Sequence, residues 1–324
     1  MSAVKSRTRL IAGLFALALA PAIAAAQGYP SRPINFIVPW GPGGGADLLA
    51  RTASKLMEPM LGVSLPVINV PGATGQVGLT KLISGPNDGY NIEVMTGDTY
   101  SLFGAPHPRF KLSQITPLAI MIRQPSAFYV KEDAPWKNWK ELLAAAKTKT
   151  LKVATTGFGS PDDITVTYFR GLGYHFETVP YAKPGERYTS ILGGHADVLY
   201  EQTGDVRSYV DNKQMRPVVI FYPHELNVGP FKGVPATGDM GIHISLPQLR
   251  TVIVKAGTSP AIVKKLSEAL AKVAQTPEYK EYLASQYADP DSYMPAAEAH
   301  KWMADWLVKA HKIQAESAHK GLNK

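Results

Sequence analysis

The chain has 324 residues, is 45% hydrophobic and 19% charged, and carries a net charge of +8 with no cysteine. That length and apolar content allow roughly two domains with a substantial core, and the lack of cysteine excludes a disulfide framework, a CxxC zinc site and a thiol nucleophile. Setting aside Lys5, Arg7 and Arg9 in an acid-free N-terminus leaves about +5 spread along the chain, a mild attraction for anions but not the dense basic face that nucleic acid requires.

Residues 1–26 start basic, carry an apolar run from Leu10 to Ala20, and end in the small-residue pattern Ala24-x-Ala26. This is the pattern of a signal peptide cleaved after Ala26. The apolar run is too short to span a bilayer comfortably. The mature protein is expected to be exported to the periplasm and to be soluble.

Ile34–Val38 reads as a short apolar strand, and Asp47–Met60 has helical spacing through Leu48, Ala50, Ala53, Leu56 and Met57. "VSLPVINV" is a second strand. "PGATGQVG" is a glycine-rich turn before a helix near Leu79–Ile83, and "GPNDGY" is a turn into the strand "NIEVMTG". Alternating strand and helix predicts a parallel sheet with helical crossovers. The pattern restarts at "AFYVKED", followed by the helix "NWKELLAAAKTK" and the strand "LKVATTG". A helix over Ile164–Leu172, the strand "HFETVPY" and a helix through "GERYTSILGG" come next. "ADVLYEQ", "GDVRSYVDN" and "RPVVIFY" read as strand, helix and strand. Leu226–Ser245 is a glycine- and proline-rich loop. "LRTVIVKAG" is a strand, and "SPAIVKKLSEALAKVAQ", Pro277–Leu283 and Ala296–Ala315 are helices. One strand followed only by helices fits a segment that returns to complete the first domain. The expected division is residues 27–126 and 248–324 for one α/β lobe and residues 127–247 for a second, with a ligand cleft between them.

The stretch "IVPWGPGGGADLLAR" carries the first chemical signal. A strand that ends in glycines and opens a helix aims unpaired backbone N–H groups at one point, and the helix dipole adds positive charge there. The glycines and Ala46 fit the loose dinucleotide pattern G-x-G-x-x-A. However, the second strand ends in Asn69 rather than an acid, and Pro42 removes a donor from the loop. Main-chain binding of a phosphate or carboxylate remains, beside the plainer reading that the glycines only make tight turns. "VATTGFGSPDD" sets a parallel feature in the second lobe, with Thr155, Thr156 and Ser160 around Gly157 and Gly159. Asp47 and Asp163 lie in the first turns of helices, where an acid also serves as a cap.

Several stretches together resemble the extracytoplasmic receptors of tripartite tricarboxylate transport, the Bug receptors. These are "YPSRPINFIVPWGPGGGADLLAR", "VINVPGATGQVG", "NDGY", "VPY" and "ILGGHADV", in order across the mature chain. The resemblance implies a two-lobe, periplasmic-binding-protein-like α/β fold. It also implies capture of a small carboxylate by lobe closure, delivery to a membrane permease pair, and no catalysis, cofactor or metal. It points to Pro42, Gly43, Gly44, Gly45 and Ala46 as the main-chain carboxylate loop, with Asp47 beside it. The family's second turn falls on Thr96, Gly97 and Asp98, and its third on Ala154–Asp163. Asp163 stands where the family often has histidine, and Tyr200-Glu201-Gln202 replaces its common "FDN", so the distal end of the ligand cannot be carried over.

Around these turns, Trp40 and Phe158 could sandwich a planar ring, which makes a phthalate-type diacid one candidate beside aliphatic di- and tricarboxylates. Thr156, Gly157, Ser160 and Tyr181 offer polar contacts from the second lobe. Lys183 or Arg207 could pair a second carboxylate, and Glu201 could accept from a ligand hydroxyl or amine. The enzyme alternative is an exported serine hydrolase using Ser160 with His175 or His195, but "GFGSP" is not the G-x-S-x-G elbow. A monomer that binds no nucleic acid is expected.

Overall fold

The computed structural model describes residues 28–105 and 107–322, with side chains up to residue 317. The expected signal peptide and its cleavage site after Ala26 lie outside the described residues. In the first lobe, β1 (Asn35–Val38), α1 (Gly45–Leu61), β2 (Val67–Asn69), α2 (Gln76–Ser84) and β3 (Asn91–Thr96) form two right-of-way crossovers between parallel strands in the spatial order β2-β1-β3. A short helix α3 (Gly97–Ser101) and a ten-residue strand β4 (Ile115–Gln124) follow. Pro125 then leads directly into β5 (Ser126–Lys131), which belongs to the second sheet.

After α4 (Trp139–Ala146), the second lobe repeats the arrangement. Strand β6 (Leu151–Thr155), α5 (Pro161–Gly171), β7 (Phe176–Pro180), α6 (Pro184–Leu192) and β8 (Val198–Gln202) give the parallel order β7-β6-β8. They are followed by α7 (Arg207–Asp211) and β9 (Met215–Phe221). The chain returns to the first sheet with β10 (Gln248–Lys255) and continues as α8 (Pro260–Gln275), α9 (Pro277–Ser285), β11 (Met294–Pro295) and α10 (Ala296–Leu322).

The complete sheets are β2-β1-β3-β10-β4-β11 and β7-β6-β8-β5-β9. Each is mixed rather than purely parallel, which corrects the expectation of parallel pairing throughout. The strand that enters from the other lobe, β10 in one sheet and β5 in the other, lies antiparallel between two strands of its host. The lobes are therefore alike in topology although the sequence shows no repeat. Strand β4 is absent from the sequence reading: "ITPLAIMIRQ" is apolar in a continuous run, because Leu118 to Ile122 are buried on both faces, and it lacks the alternation of a half-exposed strand.

Local chemistry explains the well-formed helices. Ser259 caps α8 by accepting from the Ile262 N–H, Pro260 occupies the first turn, and Ile262, Leu266, Ala269, Leu270 and Val273 form its buried stripe. The last helix, α10, packs against α5 of the second lobe. Met303, Trp306, Ala310 and Ile313 of α10 share one apolar cluster with Ile164 and Phe169 of α5, so the C-terminal helix bridges the lobes on the side of α5.

Glu93 is an anomaly in this core. It sits in β3 opposite Ile37 and Ile253, is fully buried, and has no hydrogen-bond partner on either oxygen. Burial pushes its carboxyl well above the ordinary glutamate value. Its contribution is therefore most favourable below about pH 4 and is lost as pH rises toward the folded-state value, because unfolding releases the proton. Replacing Glu93 with Met, of similar length, is expected to stabilise the protein at neutral pH. Its advantage over wild type should grow by about 1.4 kcal/mol per pH unit between pH 5 and 7. Urea titrations at the two values measure this; an advantage that does not change with pH contradicts a neutral buried acid.

Candidate functional site

Past β1 the backbone runs through Trp40, Gly41 and Pro42 to Gly43, whose φ of +83° lies in the left-handed region that glycine favours. Gly44 is the N-cap of α1 and offers no side chain, so the first amides of the helix are not capped from their own loop. Four residues after Gly43, Asp47 fixes the loop from within. Its Oδ2 accepts from the Gly43 N–H at 3.0 Å and from Arg51 Nε at 2.9 Å, and its Oδ1 accepts from Asn69 Nδ2 at 3.0 Å. Burial pushes the Asp47 carboxyl up, but these hydrogen bonds outweigh it and hold it below the usual carboxylate range.

The second lobe builds the same clamp. Asp163 of α5 accepts from the Gly159 N–H at 2.9 Å and from Thr178 Oγ1 at 2.6 Å. In both lobes an acid in the third helical position ties the glycine loop behind it to the neighbouring strand. Asn69, which argued against nucleotide binding because it is not an acid, serves as the outer arm of the first clamp.

The two loops face each other across a cavity of about 310 Å³, the size of a small-metabolite pocket. The first lobe lines it with Trp40, Gly44, Gly45, Ala46, Thr96 and Asp98, and β10 adds Gln248 and Arg250. The second lobe contributes Thr156, Pro184, Arg187, Gln202 and Asp205. Three hydrogen bonds cross between the lobes: Gly45 N–H to Asp205 Oδ2 at 3.2 Å, Thr156 Oγ1 to Asp98 Oδ1 at 3.1 Å, and Ser101 Oγ to the Gly159 carbonyl at 2.7 Å. The cleft is thus closed, with the opposing walls in contact.

Two buried ion pairs border the cavity. Arg187 donates through Nε and Nη2 to Glu201, and Arg250 Nη2 donates to Asp205; all four side chains are less than 5% exposed. Burial pushes the Asp205 carboxyl up, and the Arg250 guanidinium pulls it back. Asp162 lies behind the wall, with Oδ2 3.0 Å from Thr156 Oγ1. Burial and the nearby Asp98 carboxylate raise its pKa well above the ordinary aspartate value.

Of the expected site residues, Trp40, Gly44, Gly45, Ala46, Thr96, Asp98 and Thr156 come together on the cavity wall. The others have partners within the protein or face solvent. Pro42 is exposed, and Gly43 and Asp47 satisfy each other. Gly97 donates its N–H to Gln248 Oε1 at 2.7 Å, and the Gly157 carbonyl accepts from Ser160 Oγ at 2.6 Å. The Tyr181 carbonyl accepts from Arg187 Nη1 at 3.4 Å, and Glu201 is held by Arg187. Phe158 is 65% exposed, so of the two expected aromatic walls only Trp40 lines the cavity, with its Nε1 donating to Thr96 Oγ1 at 3.2 Å. His175 and His195 are exposed, and neither hydrogen-bonds to Ser160, which caps α5. Lys183 and Arg207 form exposed pairs with Glu186 and Asp211.

The cations at the cavity are instead Arg187 and Arg250, which sequence reasoning missed. Arg250 had a signal: it is a lone charge in the buried run "QLRTVIV". Arg187 had a weaker one, four residues before the buried Ile191 on α6.

The sequence matches the model of the family described as tripartite tricarboxylate transporter family receptor over residues 49–318. A protein of Cupriavidus necator, described as a UPF0065 protein in the gbd 5′ region, is 28% identical over 320 residues, which is 95% of each chain. The fold is similar to that of the periplasmic binding protein BugD, with a TM-score of 0.82 at 21% identity over 90% of this chain and 99% of the other. It is also similar to MatC from Rhodopseudomonas palustris with bound malate, with a TM-score of 0.79 at 22% identity over 88% of this chain and all of the other. Two α/β lobes closing on a cleft are the architecture of periplasmic binding proteins. With that architecture and a family match over most of its length, the chain belongs to the receptor family of tripartite tricarboxylate transporters, a family of solute-binding receptors and not of enzymes.

Proposed function

We propose that this protein is an exported receptor that captures a small carboxylate in the cleft by lobe closure and delivers it to the membrane subunits of a tripartite transporter. The observation that carries the reading is the mouth of α1. Gly44, Gly45 and Ala46 bring main-chain amides at a helix N-terminus onto the wall of a closed, metabolite-sized cavity, and that arrangement favours an anion. The Asp47 clamp preorganises those amides, so little ordering has to accompany binding. The malate in the related receptor supports a carboxylate. Closure follows from the contacts: a ligand touching both walls binds the closed form better than the open one and shifts the population toward it. The closed form is then what the membrane subunits recognise, and the receptor works as a monomer in the periplasm after cleavage near Ala26.

Thermal-shift screening against aliphatic and aromatic mono-, di- and tricarboxylates, with nucleotides as controls, tests this. At least one acid is expected to raise the melting temperature in a concentration-dependent way, corresponding to about 2.7 kcal/mol at a hundredfold excess over Kd. Protection by nucleotides and by no acid overturns the reading.

A further inference from the structure

The charges around the cavity do not suit a ligand that is acidic at both ends. Four acids, Asp98, Asp162, Glu201 and Asp205, surround it, against two bases, Arg187 and Arg250. Both bases are already taken, Arg187 by Glu201 and Arg250 by Asp205. Asp162 is turned toward its neutral form by burial and by Asp98. That leaves Asp98, which lies on the cavity wall and is 3% exposed. Its oxygens meet only uncharged groups: Oδ1 the Thr156 hydroxyl and Oδ2 the Gln248 amide, at 3.1 and 2.7 Å. Among the described residues it has no ion-pair partner, although it sits in a site where a carboxylate without a counter-charge is costly.

At the other end, Arg250 lines the same cavity, is 2% exposed, and has an Nε without a hydrogen-bond partner. It stands beside the Gly45 amide, since Asp205 Oδ2 accepts from both. The two ends are close. Arg250 pairs in register with Thr96, and Asp98 lies two residues beyond Thr96, a separation of roughly 7 Å if the chain were extended.

From this juxtaposition we infer that the ligand is a small zwitterion, an ammonium-bearing carboxylate of the amino-acid type. Its carboxylate meets the Gly45–Ala46 amides and Arg250, and its ammonium group meets Asp98. Asp98 is then the residue that sets specificity, because a second carboxylate in its place would face a like charge in a largely dry site. The inference rests on the receptor reading above and narrows its ligand class.

The test is titration calorimetry and thermal shift with the twenty standard amino acids and with matched pairs that differ only at the far end: malonate and glycine, succinate and β-alanine, glutarate and 4-aminobutyrate. Aliphatic and aromatic di- and tricarboxylates complete the set. The tightest ligand is expected to carry an ammonium group and to bind at least tenfold more tightly than its dicarboxylate match. Asp98→Asn, which keeps a similar shape and can still accept from Thr156, should weaken that ligand at least tenfold and narrow its lead over the matched diacid. Binding of diacids as tightly as ammonium acids, or an Asp98→Asn affinity equal to wild type, overturns the inference while leaving the receptor reading in place. No binding of any acid, with or without an ammonium group, overturns both.

Discussion

Gly44→Val is expected to abolish ligand binding while the protein still folds. At φ −89° and ψ 171°, Gly44 occupies extended backbone that any residue adopts, so the substitution adds no local strain. What it adds is volume in the cleft. A Cβ at this position would lie 2.6 Å from Cγ and 3.2 Å from Cβ of Pro184, which stands on the opposite lobe at the start of α6. The proline ring cannot rotate away as a flexible side chain would. The lobes must therefore stop short of contact, and the three hydrogen bonds that cross the cleft are lost together. Neither lobe's sheet or core is touched, so the ligand-free stability should move by no more than about 0.5 kcal/mol. Affinity should fall at least a hundredfold, which corresponds to about 2.7 kcal/mol. Titration calorimetry reads the affinity, and small-angle scattering reads the failure to close. Gly44→Ala meets the same ring, and removing that ring with Pro184→Ala should recover part of the loss. Full affinity in Gly44→Val would mean that closure against Pro184 is not part of binding.

Much of this arrangement could be read from the sequence because it is written locally. The glycine loop announces itself through the apolar strand before it and the helical stripe after it. Helix α8 is legible from Ser259, Pro260 and five apolar residues at helical spacing. What escaped depends on chain segments far apart in sequence. Strand β4 could not be told from any other apolar run, since its partners β10 and β11 lie more than a hundred residues away. The antiparallel insertion of β5 and β10 is set by which lobe each strand comes from, and no periodicity records that. The site divides in the same way. Gly44, Gly45, Ala46, Asp98 and Thr156 sit in turns with their own signature, whereas Arg187 and Arg250 are charged residues on otherwise buried faces. Their meaning depends on Glu201 and Asp205, which only the fold brings to them. An arginine that interrupts an apolar strand is the sequence signal worth following, because a buried guanidinium needs an acid nearby.

The Arg187–Glu201 pair should give the largest stability effect in the second lobe. Arg187 is 4% exposed and Glu201 is 1% exposed at the side chain, and Nε and Nη2 of the arginine both reach Glu201 Oε2. Arg187→Met preserves much of the packing but leaves Glu201 with no counter-charge, and breaking a buried pair in this way costs about 3–5 kcal/mol. The cost is one of desolvated charge, so it should depend on pH. With its partner gone, Glu201 is raised above its ordinary value, so unfolding releases a proton. The variant is then least destabilised below about pH 4 and loses stability as pH rises from there. Removing both charges with Arg187→Met and Glu201→Leu together should recover most of the loss, since two apolar side chains of similar volume need no partner. The coupling energy from that cycle measures the burial penalty of a lone acid rather than the worth of the pair. Urea denaturation of the two single variants and the double variant, at pH 5 and 7, gives all of these quantities. If the double variant is as unstable as Arg187→Met alone, the arginine acts through something other than Glu201. Its hydrogen bond to the Tyr181 carbonyl, which ties α6 to the end of β7, is then the remaining candidate.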